Sequence, residues 1–221
     1  MKNSYLVEKD LIIFRRARLG DNMEEIAELI YETDPYIYPF WFENDKSEGV
    51  RVLSEKMLEP GFIFYYDNLY VAYDKTIGRI LGVICALDKS INLNYDYTNL
   101  ESVNDRYSFT IKNYIKVLIN EVEDSRSDYM YISNVCVDTG YRGKHIGTKM
   151  LGYFITQMEK AGFNSFGLDC LLHNLRAKNL YHSFMFKEMK EIIGFDGTDH
   201  SKIEVVSMLR KKGAYLPEEF R

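Results

Sequence analysis

The residues best suited to chemistry lie in Tyr141 to Leu151, which reads YRGKHIGTKML. Gly143 and Gly147 let the backbone approach a ligand closely. Arg142, Lys144 and Lys149 bring positive charge. Met150, Leu151, Phe154, Ile155 and Met158 follow at helical spacing, so the run is the turn into a helix. A helix start carries N–H groups without intrahelical partners and a partial positive charge, and together these hold phosphate. The same residues also suit a plain basic surface turn. His145 stands where a phosphate cradle would most want a third glycine, yet histidine visits positive φ more readily than most side chains. Its N–H is then expected to face the phosphates. Neither GxxxxGK(S/T) nor GxGxxG occurs, which excludes a P-loop and a dinucleotide fingerprint.

A second group lies downstream in NLRAKNLYHSFMF, residues 174–186. Asn174 and Tyr181 are seven residues apart, close to two helical turns, so they point the same way. Ala177 between them leaves room for a ligand. By itself a helical tyrosine is more often a core or surface aromatic. The two groups together carry a family resemblance. Arg142-Gly143-Lys144-His145-Ile146-Gly147 resembles the Q/R-x-x-G-x-G/A signature of the GNAT N-acetyltransferases. Asn174, Ala177 and Tyr181 resemble the family's N-x-x-A-x-x-x-Y helix. The resemblance covers about residues 11–210 and is strongest over 129–186.

The resemblance implies acetyl-CoA as cosubstrate and acetyl transfer to a primary amine by direct attack in a ternary complex. Arg142, Gly143, Lys144, His145, Ile146, Gly147 and Thr148 would then hold the pyrophosphate, with Asn174 also binding the cosubstrate. A backbone N–H near Cys136 or Val137, on the fourth strand, would stabilise the oxyanion. Tyr181 would protonate the departing CoA thiolate. In one branch of the family a glutamate at the spacing of Asp169 from Tyr181 serves as base. Asp169 is one methylene shorter and would act through water, or else it is a strand-edge residue holding a turn. A non-catalytic acyl-CoA sensor of the same fold is the competing class. The family's habit of pairing through C-terminal strands makes a homodimer an expectation.

Three positions depart from the family pattern: His145, Met185 and the long 88–124 connection. A non-glycine at 185 disfavours the usual left-handed helix end, so the helix is expected to end differently. The connection suits a substrate lid or a dimer contact.

The elements that position these groups follow from periodicity. Strands are expected at 11–16, 69–74, 79–87, 129–138, 165–172, 188–194 and 202–210. Asp21-Asn22-Met23-Glu24 gives a capping-box pattern before a helix on Met23, Ile26, Ala27 and Ile30. Helices are also expected at 47–59, through Ile111, Ile115, Leu118 and Val122 for about five turns, after Gly147, and at 174–185. TDPYIYPFWF, broken by Pro35 and Pro39, is either a substrate-facing loop or an aromatic cap over the core. The order predicts a single α/β (α+β) domain over 1–221, its mixed, mostly antiparallel sheet of about seven strands covered by helices on both faces.

Composition bounds the partners. The chain has 221 residues and a net charge of −5, which argues against nucleic acid and fits a small cationic amine. Glu32 and Asp34 are candidates to recognise it. Cys85, Cys136 and Cys170 show no CxxC, and each falls in a strand, so buried reduced thiols and a cytoplasmic setting are expected. The four histidines lack ligand spacing, so no metal is implied. No run approaches the roughly 20 apolar residues of a membrane span.

Overall fold

A computed structural model describes residues 11–88, 128–195, 202–214, 216–217 and 220. Runs rich in aliphatic and aromatic residues form seven strands: β1 Ile12–Arg16, β2 Leu69–Asp74, β3 Arg79–Asp88, β4 Tyr129–Val137, β5 Ser165–Leu171, β6 Lys187–Phe195 and β7 Lys202–Lys211. They form one sheet in the order β1-β2-β3-β4-β5-β7-β6. β4 and β5 are parallel, and the other neighbouring pairs are antiparallel. This is the mixed, mostly antiparallel sheet that the sequence predicts.

Among the described residues, five helices cover its two faces: α1 Met23–Tyr31, α2 Ile37–Trp41, α3 Lys46–Lys56, α4 Ile146–Lys160 and α5 Leu175–Ser183. Strand alternation sends Val71, Val83, Cys85, Tyr129 and Tyr131 to the face packed by α1, α2 and α3. Tyr70, Ile84, Met130, Ile132, Phe166 and Leu168 go to the other face, under α4 and α5. Cys85, Cys136 and Cys170 are all buried and reduced.

Three local expectations need correction. Asp21 does not cap α1. Its carboxylate is held by Arg15 at 2.6 and 2.8 Å, and Asn22 caps instead, accepting from the Glu24 and Glu25 amides. The proline-broken segment contains a helix, α2. Pro39 is its third residue, and the first turn needs no intrahelical N–H donor. Asp34 Oδ1 nucleates that turn by accepting from the Tyr36 and Ile37 amides at 2.8 and 2.9 Å.

The third correction is Met185. It takes φ 62, so α5 keeps the left-handed end without glycine. The Phe186 amide donates to Tyr181 O at 3.1 Å and the Met185 amide to His182 O at 2.9 Å, both bonds of a Schellman end. Packing imposes it: Phe184 and Phe186 on either side are buried, and Arg210 Nε grips Phe184 O at 3.1 Å. Beyond Asp88, the expected loop and helix at 88–124 lie outside the described residues.

Candidate active site

Two features of β4 open the sheet. The first is a bulge: Asn134 faces Cys85 and Ile132 faces Ala86, so Ser133 is the extra residue. The second is separation from β5. The two strands pair from Tyr129 with Ser165 to Ile132 with Leu168, and no pairing continues beyond. β5 instead goes on pairing with β7 as far as Leu171. The C-terminal halves of β4 and β5 therefore border a gap.

A cavity of about 150 Å³ occupies this gap and reaches both faces of the sheet. On the α1–α2 side its walls include Thr33, Asp34, Tyr38, Trp41 and Phe64. On the α5 side they include Asn174, Ala177 and Tyr181, with Val135 and Asp169 between.

Backbone parity decides which amides face the gap. The Asp138 amide donates to Leu81 O at 2.9 Å, toward β3. Amides alternate along a strand, so that of Cys136 also faces β3, while those of Val135 and Val137 face the gap. Of the two positions the sequence singled out for an oxyanion donor, Val137 has this geometry and Cys136 does not. Val135 was missed because a bulge cannot be counted from one strand's residues.

The loop after β4 forms the start of α4. Its first intrahelical bond runs from the Lys149 amide to His145 O at 3.0 Å, so the amides of Ile146, Gly147 and Thr148 precede the ladder. His145 is the N-cap at φ 59, ψ 15, the left-handed conformation its residue type tolerates. Gly143 also has positive φ, at 81°. A Cβ added at Gly147 would meet Val137 at 3.5 Å and Leu180 at 3.7 Å, ordinary contacts. The chain itself thus makes no demand for glycine at 147, whereas a ligand lying against the loop would. Arg142 donates through Nε to Val137 O at 2.9 Å, and Lys144 lies over the Tyr141 ring at 4.6 Å. The loop residues present the amides and charge that a pyrophosphate needs.

Tyr181 is buried on the α5 side, and burial pushes its phenol well above the usual tyrosine range. It holds its proton at neutral pH. Asn174 caps α5, its Oδ1 accepting from the Ala177 amide at 3.1 Å, which leaves its NH₂ for a ligand. Asp169 accepts from Tyr131 Oη at 2.8 Å. Burial also pushes the Cys136 thiol to about 11, against the pull of Arg142, so this thiol is not a nucleophile near neutral pH.

Residue-by-residue reading of the sequence missed Asn134, Thr33 and Tyr38. Asn134 Nδ2 donates to Thr33 Oγ1 at 2.7 Å and Tyr38 Oη at 3.0 Å, tying β4 to the α1–α2 connection. The signal that could have found them was a polar Ser-Asn pair inside an otherwise apolar strand. Among the described residues no group of three or more His, Cys, Asp or Glu could hold a metal ion. No helix among them is long and apolar enough to cross a membrane.

The gap between β4 and β5 thus lies beside an amide-lined helix start. Residues 23–186 match the Acetyltransferase (GNAT) family, and the chain belongs to it. It is a GNAT N-acetyltransferase, and the family's cosubstrate is acetyl-CoA. No curated protein matches the chain. Solved structures resemble it at low identity. An N-acetyltransferase from Staphylococcus aureus Mu50 is 21% identical, with a TM-score of 0.60 over 90% of this chain and 100% of that one. A mosquito arylalkylamine N-acetyltransferase like 5b is 14% identical, with a TM-score of 0.62 over 90% and 99%. The apo form of an agmatine N-acetyltransferase mutant is 14% identical, with a TM-score of 0.59 over 91% and 100%. At these identities the likeness shows the fold.

Proposed function

We propose that this enzyme acetylates a small cationic primary amine by direct transfer across the β4–β5 gap. The observation that carries the reading is the cavity itself, which joins the α1–α2 face to the Tyr181 face through the gap. The amides from Gly143 to Thr148 hold the pyrophosphate of acetyl-CoA, and Arg142 and Lys144 add charge beside it. Asn174 and Ala177 border the path toward the thioester. The Val135 and Val137 amides face the gap and supply donors for the carbonyl oxygen as it gains charge.

The amine enters from the α1–α2 side. Its nitrogen must be neutral to attack, so one proton leaves through water toward Asp169. A C–N bond forms and the C–S bond breaks. The Tyr181 phenol gives its proton to the departing thiolate, and the proton from nitrogen restores the balance through solvent. Tyr131 orients Asp169 by its 2.8 Å hydrogen bond.

The sign of the acceptor's charge follows from the cavity walls. Asp34 and Asp169 line it, and no Lys, Arg or His does among the described residues. The names of the arylalkylamine and agmatine enzymes lean the same way.

The test is CoA release with acetyl-CoA and a panel of primary amines. Tyr181→Phe should lower kcat about 100-fold while acetyl-CoA affinity stays unchanged. Undiminished kcat removes Tyr181 from the proton transfer. Acetyl-CoA binding with turnover of none of the amines overturns the small-amine reading.

A further inference from the structure

The carboxylate of Asp34 is fixed by the backbone at the start of α2. Its Oδ1 accepts two backbone amides, Tyr36 at 2.8 Å and Ile37 at 2.9 Å. Those bonds fix the side chain at the start of α2. They leave Oδ2 without a hydrogen-bond or ion-pair partner among the described residues. Asp34 lines the cavity, so a ligand can reach this oxygen. Burial pushes the carboxyl above its usual range, and the Ile37 and Tyr36 amides oppose that rise.

Asp34 is half-buried, and a partly desolvated carboxylate is stabilised by a cation beside it. No Lys or Arg pairs with it among the described residues. Lys46 is paired with Glu32 at 2.9 Å, and Arg51 with Glu48 and Glu55. The walls beside Asp34 are Ile37, Tyr38, Trp41, Ile63 and Phe64. These suit a slender hydrocarbon stem, and the aromatic faces also attract a cation. The position of Asp34 separates it from the chemistry. It stands in the α1–α2 connection, whereas the reacting nitrogen must reach the gap bordered by Val135 and Asp169.

We infer that Asp34 is a specificity-determining residue that binds a second, non-reacting ammonium, so that the acceptor is a diamine or longer polyamine. This rests on the reading of the chain as a small-amine acetyltransferase. One amino group sits charged on Asp34 Oδ2. The stem crosses the apolar walls, and the other amino group presents its neutral nitrogen at the gap. Asn134 supports the arrangement by binding Thr33 Oγ1 and Tyr38 Oη on either side of Asp34 in sequence.

The experiment compares 1,4-diaminobutane with n-butylamine in the wild type and in Asp34→Asn. Asparagine keeps the Oδ1 acceptor and therefore the α2 turn, so the change removes charge and little else. Thermal unfolding of both proteins checks that the fold is kept. The wild type should favour the diamine in kcat/KM by about 10- to 100-fold, the range of a charge-assisted hydrogen bond. Asp34→Asn should erase that preference through KM for the diamine, with kcat and the monoamine nearly unchanged. Equal use of the two amines by the wild type overturns the inference while leaving acetyl transfer to amines in place. An equal loss for both amines in Asp34→Asn also overturns it, by placing Asp34 at the reacting nitrogen. Acetyl-CoA binding without acetylation of any amine would overturn the underlying functional reading together with this one.

Discussion

Gly167→Ala should damage the fold where β4 and β5 are about to separate. Gly167 pairs with Tyr131 in the short parallel ladder, one residue before its last pair. A Cβ added at 167 would overlap the hydroxyl of Tyr129 and lie 2.7 Å from its Cζ and 3.2 Å from its Cε2. The Tyr129 ring is fully buried, so it has little room to retreat. Restoring ordinary contact at Cζ alone needs a shift of several tenths of an ångström, and the hydroxyl needs more. Overpacking of this kind costs about 1–3 kcal/mol, and the severity here points to about 3 kcal/mol. For a chain of this length that lowers Tm by roughly 6–12 °C. The double variant with Tyr129→Phe removes the worst overlap and should recover about 1 kcal/mol or more. Urea unfolding followed by fluorescence measures both, because Trp41 is the chain's one tryptophan and is buried in α2. Wild-type stability in Gly167→Ala, or a Tyr129→Phe loss that adds to it instead of rescuing it, would refute the packing argument.

Met185→Gly should stabilise the chain by about 0.5–1 kcal/mol, because a left-handed side chain costs about 1–2 kcal/mol and glycine's extra unfolded-state freedom returns part of that. A lower urea midpoint would contradict this. Arg210→Ala should cost about 3–5 kcal/mol, since this fully buried guanidinium binds Glu159 at 2.6 Å and the carbonyls of Phe184 and Ala214. A Tm within a degree or two of wild type would mean the network contributes little. Stability should also fall above pH 9. Burial pushes the Cys85 thiol from 9.0 up to about 12, so between those values the folded chain binds the extra proton. This one thiol contributes a loss of about 1.4 kcal/mol per pH unit in that window. Urea midpoints from pH 8 to 10.5 should slope downward, and Cys85→Ala should reduce the slope without abolishing it, because burial also pushes the Cys136 and Cys170 thiols up to about 11.

What could be read from the sequence depended on how local the cause was. The loop from Arg142 to Thr148 and the Asn174–Tyr181 helix are each set by residues within two turns, so spacing marked them as candidates and the family resemblance supplied the roles expected of them. Strand and helix positions followed apolar periodicity and held to within a residue or two over most of the described chain. Local reading failed where a distant partner decides. Arg15 claims Asp21, so the cap passes to Asn22. Phe184, Phe186 and Arg210 hold Met185 in a conformation its residue type disfavours. The Ser133 bulge and the β4–β5 gap belong to pairs of strands, so no single strand announces them. The helix around Pro39 was hidden because proline stops a helix interior but not its first turn.

On the proposed reading, acetyl-CoA lies on the α4 start with its thioester in the β4–β5 gap. A crystal structure of the acetyl-CoA complex tests this most directly. Pyrophosphate oxygens should lie within hydrogen-bond distance of the amides between Gly143 and Thr148, that of His145 included. The thioester carbonyl should sit at the Val135 or Val137 amide, with the sulfur beside Tyr181 Oη. Pyrophosphate bound away from that loop, or a His145 amide turned from it, would contradict the claim.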